Sequence, residues 1–263
     1  MNTLLLTYLG ERDLSAGHAG NLARTVRFYS EFVGSEPERF DYQTVNAFLS
    51  RIIDTRSRET AKLYRRGIVT LWNYQAECGL CEYPNTRRIK QIKSQLDPPR
   101  AFSLDETERL IEAAGELQGS YPWGKRSLYW QALISGALAC GLRRGDLLRL
   151  PRSIQDGQKF TIRESKTGMI YTRQLSPDAT ARLRKLPDQP LAYPWRYTRT
   201  SFTKTWRSIV KRAEMDGQFK WLRRSFVTYS GWRHVDPKVS RQHYIDPRLI
   251  SEDVPMVDIS RKG

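Results

Sequence analysis

The sequence predicts a mostly α-helical protein in two domains, the second of α+β character with one small β-hairpin. Three observations lead to that fold class. Apolar residues recur at helical spacing through the first hundred positions. A basic segment carrying Pro98-Pro99 then interrupts the pattern. Beyond it the stretch KFTIRESKTGMIYTRQL alternates as paired strands do, in surroundings that are otherwise helical.

The opening MNTLLLTYLGERD has a short leucine run with no basic residue before it and acidic residues close behind. It reads as the start of a helix and not as a signal peptide. The next helix is expected to begin at Ser15, whose hydroxyl can cap a first turn, and to stop at Gly34. Leu22, Val26, Tyr29 and Val33 mark its apolar face. DYQTVNAFLSRIID offers another helix, with Val45, Phe48, Leu49 and Ile52 on one side. ETAKLYRRGIVTLWNYQAECG offers a further one, apolar at Leu63, Ile68, Leu71 and Trp72 and ended by Gly79. A Pro-Pro pair cannot continue a helix, so the domain boundary is expected near residues 95–101. SLDE at 103–106 is a capping box that opens the next helix. YWQALISGALACGLRRGDLLRL reads as a long apolar helix, a break at Gly141 and a short amphipathic helix. The expected hairpin turns around residues 165–168, and SPDATARLRKL and SFTKTWRSIVKRAEM return to helical spacing.

Charge narrows the function. The 263 residues carry 44 Lys and Arg against 28 Asp and Glu, a net of +16. Such a chain attracts polyanions, of which nucleic acid is the usual one; an inert basic surface is the alternative. Residues 51–100 hold 11 basic and 5 acidic side chains, and residues 151–263 hold 23 and 11, so two separate surfaces are available to one ligand. In the first block Arg51, Arg56, Arg58, Lys62, Arg65 and Arg66 are opposed only by Asp54 and Glu59. A solvated helix face and a DNA-binding face both fit that run, and its density favours the second. No apolar run approaches the roughly 20 residues of a membrane span. Cys78 and Cys81 form a lone C-x-x-C without the second ligand pair of a zinc site, and Cys140 reads as a buried small residue. This cysteine usage fits a reducing cytoplasm.

The second part sets cations at turns and helix starts. Arg143 and Arg144 follow Gly141-Leu142, with Asp146 three residues beyond Arg143. Lys166 falls in the expected hairpin turn, and Lys220 and Arg223 share a helix face. His234 and Tyr244 come last, ten residues apart. In these residues the chain resembles the tyrosine recombinase (phage integrase) family. CGLRRGDLLRL is similar to the family's first arginine motif, ESKTG to its hairpin lysine, KWLRRSFVT to its second arginine motif and RQHYIDP to its nucleophile segment. The resemblance implies a two-domain, C-shaped clamp: a helical core-binding domain over residues 1–97, and a catalytic domain over residues 98–263 that includes a C-terminal tail.

What the resemblance implies chemically suits these residue types. Arg143 and Arg223, with planar donor forks, would bind the non-bridging oxygens of a DNA phosphate and stabilise the charge that attack adds. Tyr244 would attack phosphorus and form a 3′-phosphotyrosyl link, which a 5′-hydroxyl can later reverse. Lys166 would protonate the departing 5′-oxygen, and His234 would hydrogen-bond the phosphate. Asp146 would orient its arginine neighbours, and His243 would pack behind the site or touch the DNA backbone. Arg144, Arg224 and Arg241 are expected DNA contacts. No metal and no other cofactor is implied, because the cations do the electrostatic work. The partners implied are double-stranded DNA and further copies of the chain, as a tetramer on DNA, near the nucleoid and away from membranes. Residues 250–263 are expected to dock on a neighbouring protomer.

Two departures from the family stand out. Lys220 occupies a place where histidine is common; a lysine accepts the tyrosine's proton only if burial lowers its pKa, so Lys220 is expected to stabilise phosphate and phenolate charge, with the base for Tyr244 left unassigned. The interval from Arg223 to His234 is 11 residues, shorter than the family's, which makes Trp232 a rival for His234's role. A DNA-binding protein that has lost the chemistry, and an enzyme of the type IB topoisomerase kind, remain the alternatives.

Overall fold

The computed structural model describes residues 2–35, 37–93, 98–157, 159–230 and 244–249. The fold is mostly helical with small antiparallel sheets, and the chain divides into two compact units, Met1–Leu96 and Asp97–Gly263. Among the described residues no helix is long and apolar enough to cross a membrane.

The first unit is built on α1 (Asn2–Glu11), α2 (Ala16–Val33), α3 (Tyr42–Thr55) and α4 (Arg58–Glu77). Each of the last three starts on a side chain that accepts an N–H of the first turn: Ser15 from His18, Asp41 from Thr44 and Ser57 from Thr60. α2 ends at Gly34, whose φ of 79° is the left-handed stop glycine adopts without strain. Leu22, Val26 and Tyr29 of α2 meet Val45, Phe48, Leu49 and Ile52 of α3 and Tyr64, Ile68 and Leu71 of α4 in one core. Leu63 was expected on this face but is half-buried. The inward stripe of α4 runs through Ala61, Tyr64, Ile68 and Leu71, and Leu63 lies about a quarter turn off it.

Beyond α4 the chain comes back along the helices and is tied there. Asn46 donates to the Arg88 carbonyl and accepts from the Lys90 N–H. Arg65 donates to the carbonyls of Thr86 and Lys90 at 2.9 and 3.1 Å.

In the second unit α5 (Leu104–Gly115) opens on the Ser103–Glu106 capping box, with both reciprocal hydrogen bonds present. A two-residue-strand hairpin, β1 (Ser120–Tyr121) with β2 (Gly124–Lys125), leads into α6 (Arg126–Cys140). α6 is the axis of the core: from Tyr129 to Ala137 every residue except Gln131 is buried. Its termination positions the site. Gly141 takes φ 61°, and a Cβ there would overlap the ring of Phe226, so the chain turns sharply and sets Arg143 at the head of α7 (Arg144–Leu147).

β3 (Phe160–Arg163) pairs antiparallel with β4 (Ile170–Arg173), Phe160 opposite Arg173 and Arg163 opposite Ile170. The turn between them is closed by the Glu164 N–H to Met169 and the Gly168 N–H to Glu164, both 2.8 Å. α8 (Pro177–Arg184) and α10 (Lys220–Ser230) pack on α6, and α9 (Arg199–Arg212) on α5.

Candidate active site

Arg143 from the α6–α7 turn, Lys166 from the hairpin, Lys220, Arg223 and Arg224 from α10, and Tyr244 all line one cleft of about 940 Å³ in the second unit. Arg199, Thr203 and Arg207 of α9 form another part of its wall, with Phe202 and Trp206 behind them.

At the base lies a carboxylate that sequence reading passed over. Glu164 is wholly buried, and its Oε1 is paired with the guanidinium of Arg143 and with that of Arg223, the latter at 2.9 Å. Its Oε2 accepts the Thr167 hydroxyl at 2.6 Å. Burial alone would raise the Glu164 pKa. Hydrogen bonds from Thr167 and Arg143, with the charge of Arg223, outweigh burial and hold it below the usual carboxylate range. Burial likewise works against the Arg143 charge, yet Glu164, and then Tyr244, carry its pKa above the ordinary guanidinium value.

Tyr244 meets both arginines. Its phenol lies close enough to Arg143 for their charges to interact, and the Arg223 guanidinium carbon lies 5.3 Å from its ring centroid. Two residues on, Asp246 anchors the segment. It is wholly buried and accepts the Ala101 N–H at 2.8 Å, while its own N–H donates to Thr228 of α10 at 3.1 Å. Arg248 closes on the same carboxylate at 2.6 and 3.0 Å. Burial raises the Asp246 pKa, but the bonds from Arg248 and Ala101 prevail and lower it.

Asp146 binds the lysine turn as well as an arginine. Its Oδ1 accepts the Ser165 hydroxyl at 2.7 Å, the Ser165 N–H at 3.2 Å and Arg149 at 2.5 Å. It therefore fastens the lysine turn to α7 and pairs with one neighbouring arginine, Arg149. Lys166 itself is exposed between Ser165 and Thr167.

Lys220, at the start of α10, has its pKa lowered by partial burial and by the neighbouring charge of Arg224. Arg224 donates to the Arg100 carbonyl at 3.2 Å, and Arg144 lies over the Phe202 ring at 4.9 Å. Both combine cleft lining with structural contacts.

In the first unit Arg51, Arg56, Arg58 and Arg66 are exposed, Arg56 resting on the Phe28 ring at 4.3 Å. Lys62 pairs with Glu59 at 3.7 Å. Arg65, expected to contact DNA, is half-buried and uses Nε and one terminal nitrogen on the returning segment. His234, Trp232, Arg241, His243 and residues 250–263 lie outside the described residues. Cys78 is exposed, Cys81 half-buried and Cys140 buried, and all three are free thiols. Among the described residues no three His, Cys, Asp or Glu side chains are grouped to hold a metal ion.

No family model and no curated protein sequence matches the chain. Its architecture does match solved structures: the fold is that of the tyrosine recombinases. A lambda integrase dimer bound to a COC′ core site aligns with a TM-score of 0.73 at 16% identity, over 96% of this chain and 98% of that one. XerH site-specific recombinase bound to its palindromic difH substrate aligns at 0.64 and 17% identity, over 85% and 72%. The Tn1549 transposon integrase in complex with transposon right end DNA aligns at 0.63 and 12%, over 91% and 89%.

Proposed function

We propose that this protein cuts and rejoins DNA strands at specific sites through a covalent 3′-phosphotyrosyl link to Tyr244. The observation that carries this reading is the convergence of Arg143 and Arg223 on the Tyr244 side chain in a cationic cleft. Guanidinium groups beside the phenol can also receive the phosphate it attacks.

In the proposed reaction the scissile phosphate lies across Arg143 and Arg223. The Tyr244 oxygen bonds to phosphorus as its proton passes to Lys220 in the neutral form, and the charge of Arg143 favours the charge that develops on that oxygen. The bond to the 5′-oxygen breaks, and Lys166 supplies the proton that oxygen takes. Rejoining is the reverse, with a 5′-hydroxyl attacking and the tyrosine leaving. Lys220, held below its usual pKa, gives up a proton more readily than an ordinary lysine, which suits it to the place where the family has histidine. The exposed arginines of α3 and α4 would add phosphate contacts that position the duplex without reading its sequence. Site specificity, assembly of a tetramer and nucleoid association are part of the same proposal, which draws on the fold shared with DNA-bound recombinases.

The test uses a pool of nicked duplexes with a randomised core, incubated with the protein in EDTA and then denatured. Wild type should become covalently attached to the 3′ end of a cut strand. Tyr244→Phe should bind the recovered duplexes yet form no adduct. An adduct that persists in Tyr244→Phe, or none from wild type on any duplex, overturns the reading. The second outcome favours a DNA-binding protein without chemistry, and adducts without sequence preference favour a topoisomerase.

A further inference from the structure

Resting on that reading, we propose that Glu164 is a positioning residue. Its single buried carboxylate sets Arg143 and Arg223 side by side for the scissile phosphate and, through Thr167, ties both to the turn that carries Lys166.

Two guanidinium groups repel each other, and nothing in the covalent chain brings these two together: one ends the α6–α7 turn, the other sits in α10. Glu164 Oε1 lies between them, ion-paired with both and accepting a hydrogen bond from Arg223. A guanidinium has five donors in a fixed plane. Tying down one terminal nitrogen of each side chain fixes both planes and leaves further donors for the cleft that both residues line.

The other oxygen extends the connection. Thr167 Oγ1 binds Oε2 at 2.6 Å, while Ser165 is held by Asp146 at 2.7 Å. Lys166 is thus clamped on both sides, and the Thr167 side of that clamp is the same carboxylate that holds the arginines. The expected proton donor and the expected phosphate ligands share one fixed point. The opposing idea is that Glu164 merely stands in for phosphate and leaves when DNA binds. Its complete burial and its bond to its own turn argue against that.

The two ideas predict opposite results on a nicked duplex recovered as above. In Glu164→Gln the amide keeps the size but cannot bind two cations. If Glu164 positions, single-turnover adduct formation should slow by about 100-fold, the scale of losing a transition-state donor. DNA affinity should hold or tighten, because the cleft gains one net positive charge. Glu164→Asp should restore part of the rate.

Thr167→Val leaves the carboxylate, the arginines and the backbone bonds of the turn in place and removes the hydroxyl that binds Glu164 and accepts the Met169 N–H; its exposed position makes folding safe. That change should slow the reaction about tenfold, the loss expected of one hydrogen bond to a charged group. The deficit should close on a duplex whose leaving 5′-oxygen is replaced by sulfur, since a thiol, with pKa near ~8.5, departs without a proton.

A faster or unchanged Glu164→Gln overturns the proposal, as does a Thr167→Val deficit equal on oxygen and sulfur duplexes. If Glu164→Gln fails to fold, the Thr167→Val comparison decides alone. Absence of any wild-type adduct removes the recombinase reading itself, and this inference with it.

Discussion

Replacing Asp246 with alanine asks how the tyrosine segment is held against the rest of the second unit. The carboxylate is wholly buried and accepts the N–H of Ala101, which is 3% exposed. Truncation leaves that N–H buried without an acceptor, a cost of about 1–3 kcal/mol. The bonds from Arg248 add less, because that side chain is 53% exposed and solvent takes over its charge, so they contribute about 0–1 kcal/mol. Releasing a buried anion returns part of the total. The net loss comes to about 2 kcal/mol, or roughly 30-fold in the equilibrium that docks residues 244–249.

Hydrogen exchange read by mass spectrometry locates that loss. Peptides covering 101–103 and 225–230 should exchange about 30-fold faster in Asp246→Ala if the segment undocks as a piece. If the loss passes instead to global unfolding, Tm should fall by about 4–8 °C for a unit of this size. Asp246→Asn retains one carbonyl acceptor for Ala101 and should lose about half as much. Unchanged exchange in both peptides together with an unchanged Tm would refute the anchoring role. Under the proposed function, adduct formation should slow in the same order, alanine more than asparagine.

Other consequences are open to simpler measurements. Gly141→Ala must hold an alanine at φ 61° with its Cβ against the Phe226 ring. Backbone strain and overpacking together should cost about 3 kcal/mol in denaturant unfolding, and adding Phe226→Leu should recover only the packing share. Glu164 and Asp246 have pKa values lowered on folding, so the unfolded chain binds more protons as pH falls. Their contribution is complete above the unfolded carboxylate values near ~4 and is lost as pH drops through the lower native ones. Melting curves taken at decreasing pH should show that loss, and Glu164→Gln should flatten it.

Local chemistry made the helices legible. The Ser15 cap, the Gly34 stop and the Ser103–Glu106 box each depend on groups within a few residues, and the structure has all three. The hairpin followed from alternation, and Lys166 from its place in the turn. What escaped depends on distant partners. A glutamate in a charged turn reads as solvated, and the partners that meet Glu164 in the interior include Arg223, 59 residues further on. Arg65 belonged to a dense basic run, and its bonds to the returning residues 86–90 could not be read from that run. Asp246 carried no signal beyond its nearness to Tyr244, since its acceptor role needs Ala101, 145 residues earlier.

These misses share a cause that bears on what the cleft is for. Asp146, Glu164 and Asp246 are each wholly buried, and each holds a different piece: the lysine turn, the arginine pair and the tyrosine segment. A buried ion pair seldom adds net stability, because desolvating the charges offsets their attraction; apolar side chains of similar size often serve a fold as well or better. Three such acids around one cleft are therefore poorly explained by stability alone. They are well explained by geometry. In a chain of net charge +16, cations that must converge need fixed anions behind them, or they splay toward solvent. Under the proposed function the acids, more than the cations in front of them, determine where a phosphate would sit.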